Sequence, residues 1–271
     1  MPEKSRKVRR TALTAVLAAA ALALSLTGCA TYDAQSPKSA REAAYKAAGH
    51  EDGKAGAGSR GAALPAGAVD CRKAKCIALT FDAGPSENTP ALLKVLAEKK
   101  VRVTFFLLGH NHVDKYPGLV RQMGQNGNVL GNHTWTHHRL TDLKPAQIRT
   151  ELEHVDTEVE RLTGKRPTLM RPPQGRTDKK VSKVCKELGL AQVLWSDTAS
   201  DYATTDSALI HKRILKDASR DGIILLHDLY KGTVPAVPGI IDALRAQGYT
   251  FVTVPELLAP AEPEPGKVYR P

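Results

Sequence analysis

Asp82 follows the apolar run Ile77 to Phe81 and precedes Ala83-Gly84-Pro85. That turn would hold a carboxylate at the carboxyl end of a strand, where it serves as a proton acceptor or simply forms the turn. His133 and His137, in Asn132-His133-Thr134-Trp135-Thr136-His137-His138, stand four residues apart. In a helical turn that spacing puts both imidazoles on one side, and neutral imidazoles suit zinc, cobalt or nickel. Two ligands leave a catalytic zinc site one short of the usual three. Arg171 opens the rigid turn Arg171-Pro172-Pro173-Gln174-Gly175, and its guanidinium is suited to a bidentate grip on a carboxylate or to a place on a surface loop. His227 ends the apolar run Ile223 to Leu226, as a capped strand-end histidine or as a general acid.

These residues need a frame. Short apolar runs alternate with amphipathic segments: strands are expected over 76–81, 103–108, 128–130, 192–195, 223–226 and 250–254. Helices are expected over 90–99, 116–124, 145–163, 179–188, 207–217 and 238–247. Repeated strand-helix units mean parallel strands covered by helices, in an open doubly wound sheet or a barrel. Asp82, the segment Trp195 to Asp201, and His227 each stand where such a strand ends, and both architectures gather their active sites there.

The first 28 residues read as a leader. Lys4, Arg6, Lys7, Arg9 and Arg10 precede the Ala/Leu run Ala12 to Leu26, a secretory layout too short for the roughly 20 residues that span a bilayer. Leu26-Thr27-Gly28-Cys29 looks like a lipobox, so Cys29 is the expected lipid acceptor and the chain is expected on the outer face of the cell membrane. Residues 29–69, poor in large apolar side chains, read as a lipidated flexible tether with transient helix around 39–48. A globular domain over 70–258 and a Pro/Glu-rich tail over 259–271 complete the organisation. Cys71 and Cys76 enclose only four residues, and export makes a disulfide between them the expectation. Cys185 reads as a buried free thiol. The formal charge of +11 favours anionic lipid or wall polymer. No nucleic-acid motif accompanies it.

Taken in order, the segments resemble the polysaccharide deacetylases, also called the NodB-homology or carbohydrate esterase 4 family, from about Cys76 to Leu258. Thr80-Phe81-Asp82-Ala83-Gly84-Pro85, His133 to His137, Arg171 to Gly175, Asp201-Tyr202 and Leu225-Leu226-His227 carry the resemblance. It implies an α/β fold, a distorted TIM-like (β/α) barrel of parallel strands with fewer than eight units. It also implies a metal-dependent hydrolase that removes acetyl groups from a polysaccharide. By resemblance Asp82 is the general base, His133 and His137 hold a divalent cation, zinc before cobalt or nickel, and His227 is the acid. Arg171 orients Asp82 and Asp201 tunes His227. The backbone N–H of Gln174, beside Pro173, stabilises the oxyanion, and Tyr202, Leu225 and Trp135 line the acetyl pocket or sugar groove.

One departure matters. The family's third metal ligand, the second aspartate of the first motif, is Ala83 here. Water, Asp82, Glu87, Asn132 or His138 are the candidates to replace it. A second departure is Asp197, one position early for the fourth motif. Three functions compete: a deacetylase with a remodelled metal site, a non-catalytic wall-binding lipoprotein, and another metal-assisted hydrolase such as an acetylxylan esterase. Location next to a cell wall favours peptidoglycan as substrate.

Overall fold

The computed structural model describes residues 32–49, 64 and 68–271, so the expected leader, the lipobox and Cys29 lie outside the described residues. Among the described residues no helix is long and apolar enough to cross a membrane. The described chain begins with β1 (Ala34–Gln35) and α1 (Pro37–Ala47). The alternation then runs β2 (Lys75–Gly84), α2 (Thr89–Lys99), β3 (Thr104–Leu107), α3 (Pro117–Gln125), β4 (Val129–Asn132), α4 (Pro145–Thr163) and β5 (Leu169–Met170). It continues with α5 (Lys179–Leu188), β6 (Ala191–Val193), β7 (Asp197–Thr198), α6 (Ser207–Asp217), β8 (Gly222–His227), α7 (Thr233–Ala246), β9 (Tyr249–Val252), α8 (Val254–Leu258) and β10 (Val268–Tyr269).

Sequence logic explains the elements. Helix α4 starts on Pro145, whose missing N–H would be unsatisfied there in any case, and stops at Gly164 in left-handed backbone with φ 73°. Its buried residues Ile148, Leu152, Val155, Val159 and Leu162 recur at the three- and four-residue spacing of one helix face. Helix α7 differs from expectation. It begins at Thr233 rather than Pro238, because burial of Thr233, Ala236 and Val237 outweighs the usual cost of an interior proline.

The strands form one sheet in the order β1-β10-β6-β5-β4-β3-β2-β8-β7, with β9 paired to the lower part of β2. Every pairing is parallel. The sheet curls without closing, a half-barrel with fewer than eight strand-helix units. Strand β2 is buried along nearly its whole length, as a strand covered on both faces must be. Its Ile77, Leu79 and Phe81 pack with Leu92, Val237 and Ile241 of the outer helices. Cys76 and Ala78 face the barrel interior with Phe106, Leu169, Val193 and Leu257. The two-residue period therefore sends Thr80 and Asp82 into the barrel as well. Cys71 and Cys76 are joined by a disulfide at the foot of β2. Cys185 is free and buried, and burial pushes its thiol up to about 12.

The flexible tether is corrected over 32–49. Ser36 caps α1 by accepting the Ser39 N–H at 3.1 Å, and Pro37 begins the helix. Ala40 joins the interior cluster. Arg41, only 2% exposed, donates to the Leu257 carbonyl at 2.7 Å and to Asp221 Oδ1 at 2.9 Å. The loose tail over 259–271 is corrected too, because β10 is buried between β6 and β1. Neither contact has a hydropathy signal: one uses alanine and an ion pair, the other two-residue strands too short for periodicity. Arg41→Ala strands Asp221 and a buried carbonyl, and is expected to cost about 1–3 kcal/mol in a urea melt. An unchanged midpoint would mean that the docked helix contributes nothing to stability.

Candidate active site

Asp82 ends the interior face of β2, in register with His227 of β8 and Phe106 of β3. Just beyond it the pairing with β3 slips by one residue. Ala83 is the extra residue, with φ 61°. Left-handed backbone disfavours a residue with a Cβ, alanine included, and is better tolerated by aspartate or asparagine. Gly84 is required for a different reason: a Cβ there would lie 2.6 Å from Asp228 Oδ1. Arg171, fully buried after β5, donates from Nη1 to Asp82 Oδ1 and to Thr80 Oγ1, each at 2.7 Å, and from Nε to the Val193 carbonyl at 3.0 Å. Its guanidinium lies 4.1 Å from the Phe106 ring centroid, a favourable cation–π contact. The expected two-bond grip on a carboxylate is thus corrected to a single bond to Asp82 through Nη1, with Nε turned to the β6 backbone and Nη2 without a partner among the described residues.

The histidine pair does not lie in a helical turn. Thr134 and His137 both have left-handed backbone, φ 72° and 63°, in a loop pinned by side chains. Asn132 Oδ1 accepts the Thr134 N–H at 2.7 Å, and Thr134 Oγ1 accepts the His137 N–H at 3.0 Å. Glu151 of α4 accepts the N–H groups of Trp135 and Thr136 and the Thr136 hydroxyl. The loop nevertheless brings the two rings together. His133 Nδ1 donates to the Arg171 carbonyl at 2.7 Å, and a carbonyl only accepts, so Nε2 carries the lone pair. His137 Nε2 lies 3.2 Å from it, and Asp82 Oδ2 is 3.9 Å from His133 Nε2. Burial lowers both pKa values, that of His133 to about 4, which keeps both rings neutral at pH 7.

Across from them, His227 Nδ1 donates to Asp201 Oδ1 at 2.8 Å, and the His227 backbone N–H donates to Asp201 Oδ2 at 2.7 Å. The Thr233 hydroxyl adds a third bond to Oδ2 at 2.7 Å. Burial by itself would lower the His227 pKa, but the Asp201 carboxylate outweighs it and the pKa is raised. The imidazolium is favoured, its Nδ1 proton is fixed, and Nε2 is the group left to donate. Leu225 is on the same face of β8 one pleat below and is 5% exposed. Tyr202 is 62% exposed, its ring 6.4 Å from that of His227.

Trp135, Pro173 and Gln174, the other expected lining residues, have these contacts. Trp135 stacks on His154 at 3.6 Å, and a Cβ on Gly109 would strike the indole at 2.0 Å. These contacts pack the histidine loop onto α4. Pro173 is buried, and Gln174, with φ 57°, accepts a hydrogen bond from Arg139 Nε at 2.7 Å. Sequence reasoning missed Thr80, Glu151 and Thr233. They act through hydrogen bonds to distant residues and belong to no local pattern.

The donor set fits a divalent cation with two nitrogens. Nitrogens about 2.0–2.1 Å from a tetrahedral zinc stand about 3.4 Å apart, near the observed separation. A third protein ligand is lacking: among the described residues no group of three or more His, Cys, Asp or Glu is placed to hold a metal. Asn132 is spent, donating to the Leu152 carbonyl and to Asp156 while accepting from Thr134. Asp228 is buried beside Gly84, with Oδ2 accepting from Thr89, and burial raises its pKa to about 6.

Residues 70–193 match the family model described as polysaccharide deacetylase. The chain is 36% identical over 184 residues to the peptidoglycan-N-acetylglucosamine deacetylase PgdA of Listeria monocytogenes, covering 68% of this chain and 39% of that protein. It is 36% identical over 191 residues to the peptidoglycan-N-acetylmuramic acid deacetylase PdaA of Bacillus subtilis, covering 69% of this chain and 72% of that one. Among solved structures, a T48 deacetylase with substrate superposes with a TM-score of 0.71 at 37% identity, over 74% of this chain and all of that one. The chain spans about two fifths of the Listeria protein, 39% of its length.

Proposed function

Because the chain belongs to the polysaccharide deacetylase family, we propose that it hydrolyses acetamido groups on a cell-wall polysaccharide, with peptidoglycan amino sugars as the favoured substrate. One observation carries the reading: Asp82 and His227 are register partners on adjacent strands, each held by its own charged or polar partner, Arg171 or Asp201. Asp82 accepts the proton of the water that attacks the acetyl carbon. His227 Nε2 gives its proton to the sugar nitrogen as the C–N bond breaks, releasing acetate and a free amine. Arg171 keeps Asp82 aimed, and the Gln174 backbone N–H is the proposed donor to the developing oxyanion. A divalent cation on His133 and His137 would supply Lewis-acid polarisation and a water of lowered pKa. The same proposal places the protein outside the cell, anchored by lipid on Cys29, on the strength of Leu26 to Cys29.

A second reading, a wall-binding lipoprotein without turnover, is favoured by one observation, the absence of a third ligand among the described residues. Acetate release from peptidoglycan, chitin oligosaccharides and acetylxylan, with added zinc, cobalt or nickel, separates the possibilities. Acetate and new amines from peptidoglycan are expected. Faster release from acetylxylan would make it an ester hydrolase, and no release from any substrate with any metal would favour the binding reading.

A further inference from the structure

Helix α5 carries an exposed row of cations. Lys179, Lys183 and Lys186 follow at four- and three-residue spacing, so they share one face, while Val181, Val184 and Cys185 are buried on the other. None of the three has a salt bridge to a described residue, and Glu187, the acidic neighbour on the helix, is taken by Arg149. Lys180 is turned away, donating to the Thr141 and Leu143 carbonyls. The row works against its own helix, because like charges four residues apart repel and a cation in the first turn opposes the macrodipole.

The three lysines line an open cavity of about 690 Å³ together with Glu264 and Lys267. The turn before β10 lies flush on α5: a Cβ on Gly266 would meet the Lys186 Cβ at 2.7 Å and the Ser182 carbonyl oxygen at 2.9 Å. Lys267 is paired with Glu264 at 2.6 Å and leads into β10, whose outer neighbour is β1. At the other end of β10, Arg270 is exposed, has no salt bridge to a described residue, and shares a small cavity with Tyr32. Its N–H donates to the Gln35 carbonyl at 3.0 Å. Four unpaired cations thus adjoin the edge at which residues 32–35 enter the sheet. We propose that this face, α5 with the β10–β1 edge, docks on the anionic phospholipid headgroups of a bilayer. A cluster of about four to eight Lys or Arg beside a membrane anchor is held by anionic lipid, each contributing about five-fold in partitioning, or about 1 kcal/mol. The proposal rests on the reading of Cys29 as the lipid acceptor. Only Ala30 and Thr31 separate Cys29 from Tyr32 in sequence, at most about 11 Å of extended chain. Charge alone suits lipid or a wall polymer, and that short reach selects lipid.

Lysine footprinting tests it on the full chain, purified from membranes and reconstituted in vesicles of equal parts phosphatidylglycerol and phosphatidylcholine, or of phosphatidylcholine alone. Acylation of Lys179, Lys183, Lys186 and Lys267 is expected to slow about ten-fold on the anionic vesicles only, and to recover in high salt. Lys94 of α2 and Lys212 of α6, both exposed, react alike on both. With Lys179→Gln, Lys183→Gln and Lys186→Gln combined, Lys267 loses its protection. Equal acylation on the two kinds of vesicle in a chain that carries lipid, or protection of Lys267 that survives the triple substitution, overturns the docking face and leaves the anchor in place. Mass spectrometry finding no lipid on Cys29 overturns the anchor, and the docking with it. Protection by soluble poly(glycerol phosphate) but not by anionic vesicles assigns the face to a polymer and overturns the membrane as its partner.

Discussion

Replacing Ala83 with aspartate is expected to raise zinc affinity at least about 100-fold and to raise acetate release with it. Groups that only orient a metal ligand typically cost 10–100-fold when lost, so a first-sphere carboxylate supplies no less. The backbone is ready for the change. Ala83 already adopts φ 61° in the bulge that follows Asp82, a conformation aspartate accepts more readily than alanine. Ala83→Gly is the control: it relieves the same backbone, changing stability by no more than about 1 kcal/mol, and adds no ligand. Zinc titration of parent, Ala83→Asp and Ala83→Gly gives the answer. Tighter binding by the aspartate variant alone supports a two-nitrogen site that lacks its carboxylate. Equal or weaker binding by that variant would mean the site is rebuilt around another group, and the reading of Ala83 would be wrong.

In whichever of these backgrounds releases acetate, Asp82→Asn and His227→Ala are each expected to lower kcat at least about 100-fold while the fold is retained. Asp82→Asn keeps the shape and removes the base. It also leaves Arg171 buried without a charged partner, so circular dichroism and a thermal melt must accompany the assay. The pH profile distinguishes the acid. Asp201 raises the His227 pKa above its ordinary value, so the acid form persists to higher pH than that of an unperturbed histidine. Asp201→Asn removes that carboxylate and should move the alkaline limb to lower pH. A limb that stays in place, or near-parental turnover in either single variant, would remove His227 or Asp82 from its role.

Much of this was legible in the residues themselves. The alternation of apolar and amphipathic runs located α4, α5 and α6 to the residue, because each carries a full amphipathic stripe or a recognisable cap. The resemblance to the family's motifs singled out Asp82, His133, His137, Arg171, Asp201 and His227, and the fold pairs Asp82 with Arg171, His133 with His137 and His227 with Asp201. Their mutual geometry was not legible. The spacing of His133 and His137 suggests a helix, but the rings converge through a loop with two left-handed residues, whose conformation is paid for by Asn132, Thr134 and Glu151. Glu151 acts from 14 residues beyond His137, and nothing local announces it.

What the sequence determined by itself is whatever depends on near neighbours: strand and helix periods, caps, turns, and the identity of residue 83. What only the tertiary structure decided is whatever depends on partners distant along the chain. Arg171 gives Asp82 a single bond because the buried guanidinium is oriented with Nε on the Val193 carbonyl and only Nη1 toward Thr80 and Asp82. Residues 34–35 and 268–269 extend the open sheet, and the helix over 37–47 docks beside it, because Asp221, Leu257 and the edge of β6 are there to receive them. Burial and desolvation set the charge states of His133 and His227, and burial is a property of the assembled fold, which no local pattern of residues encodes.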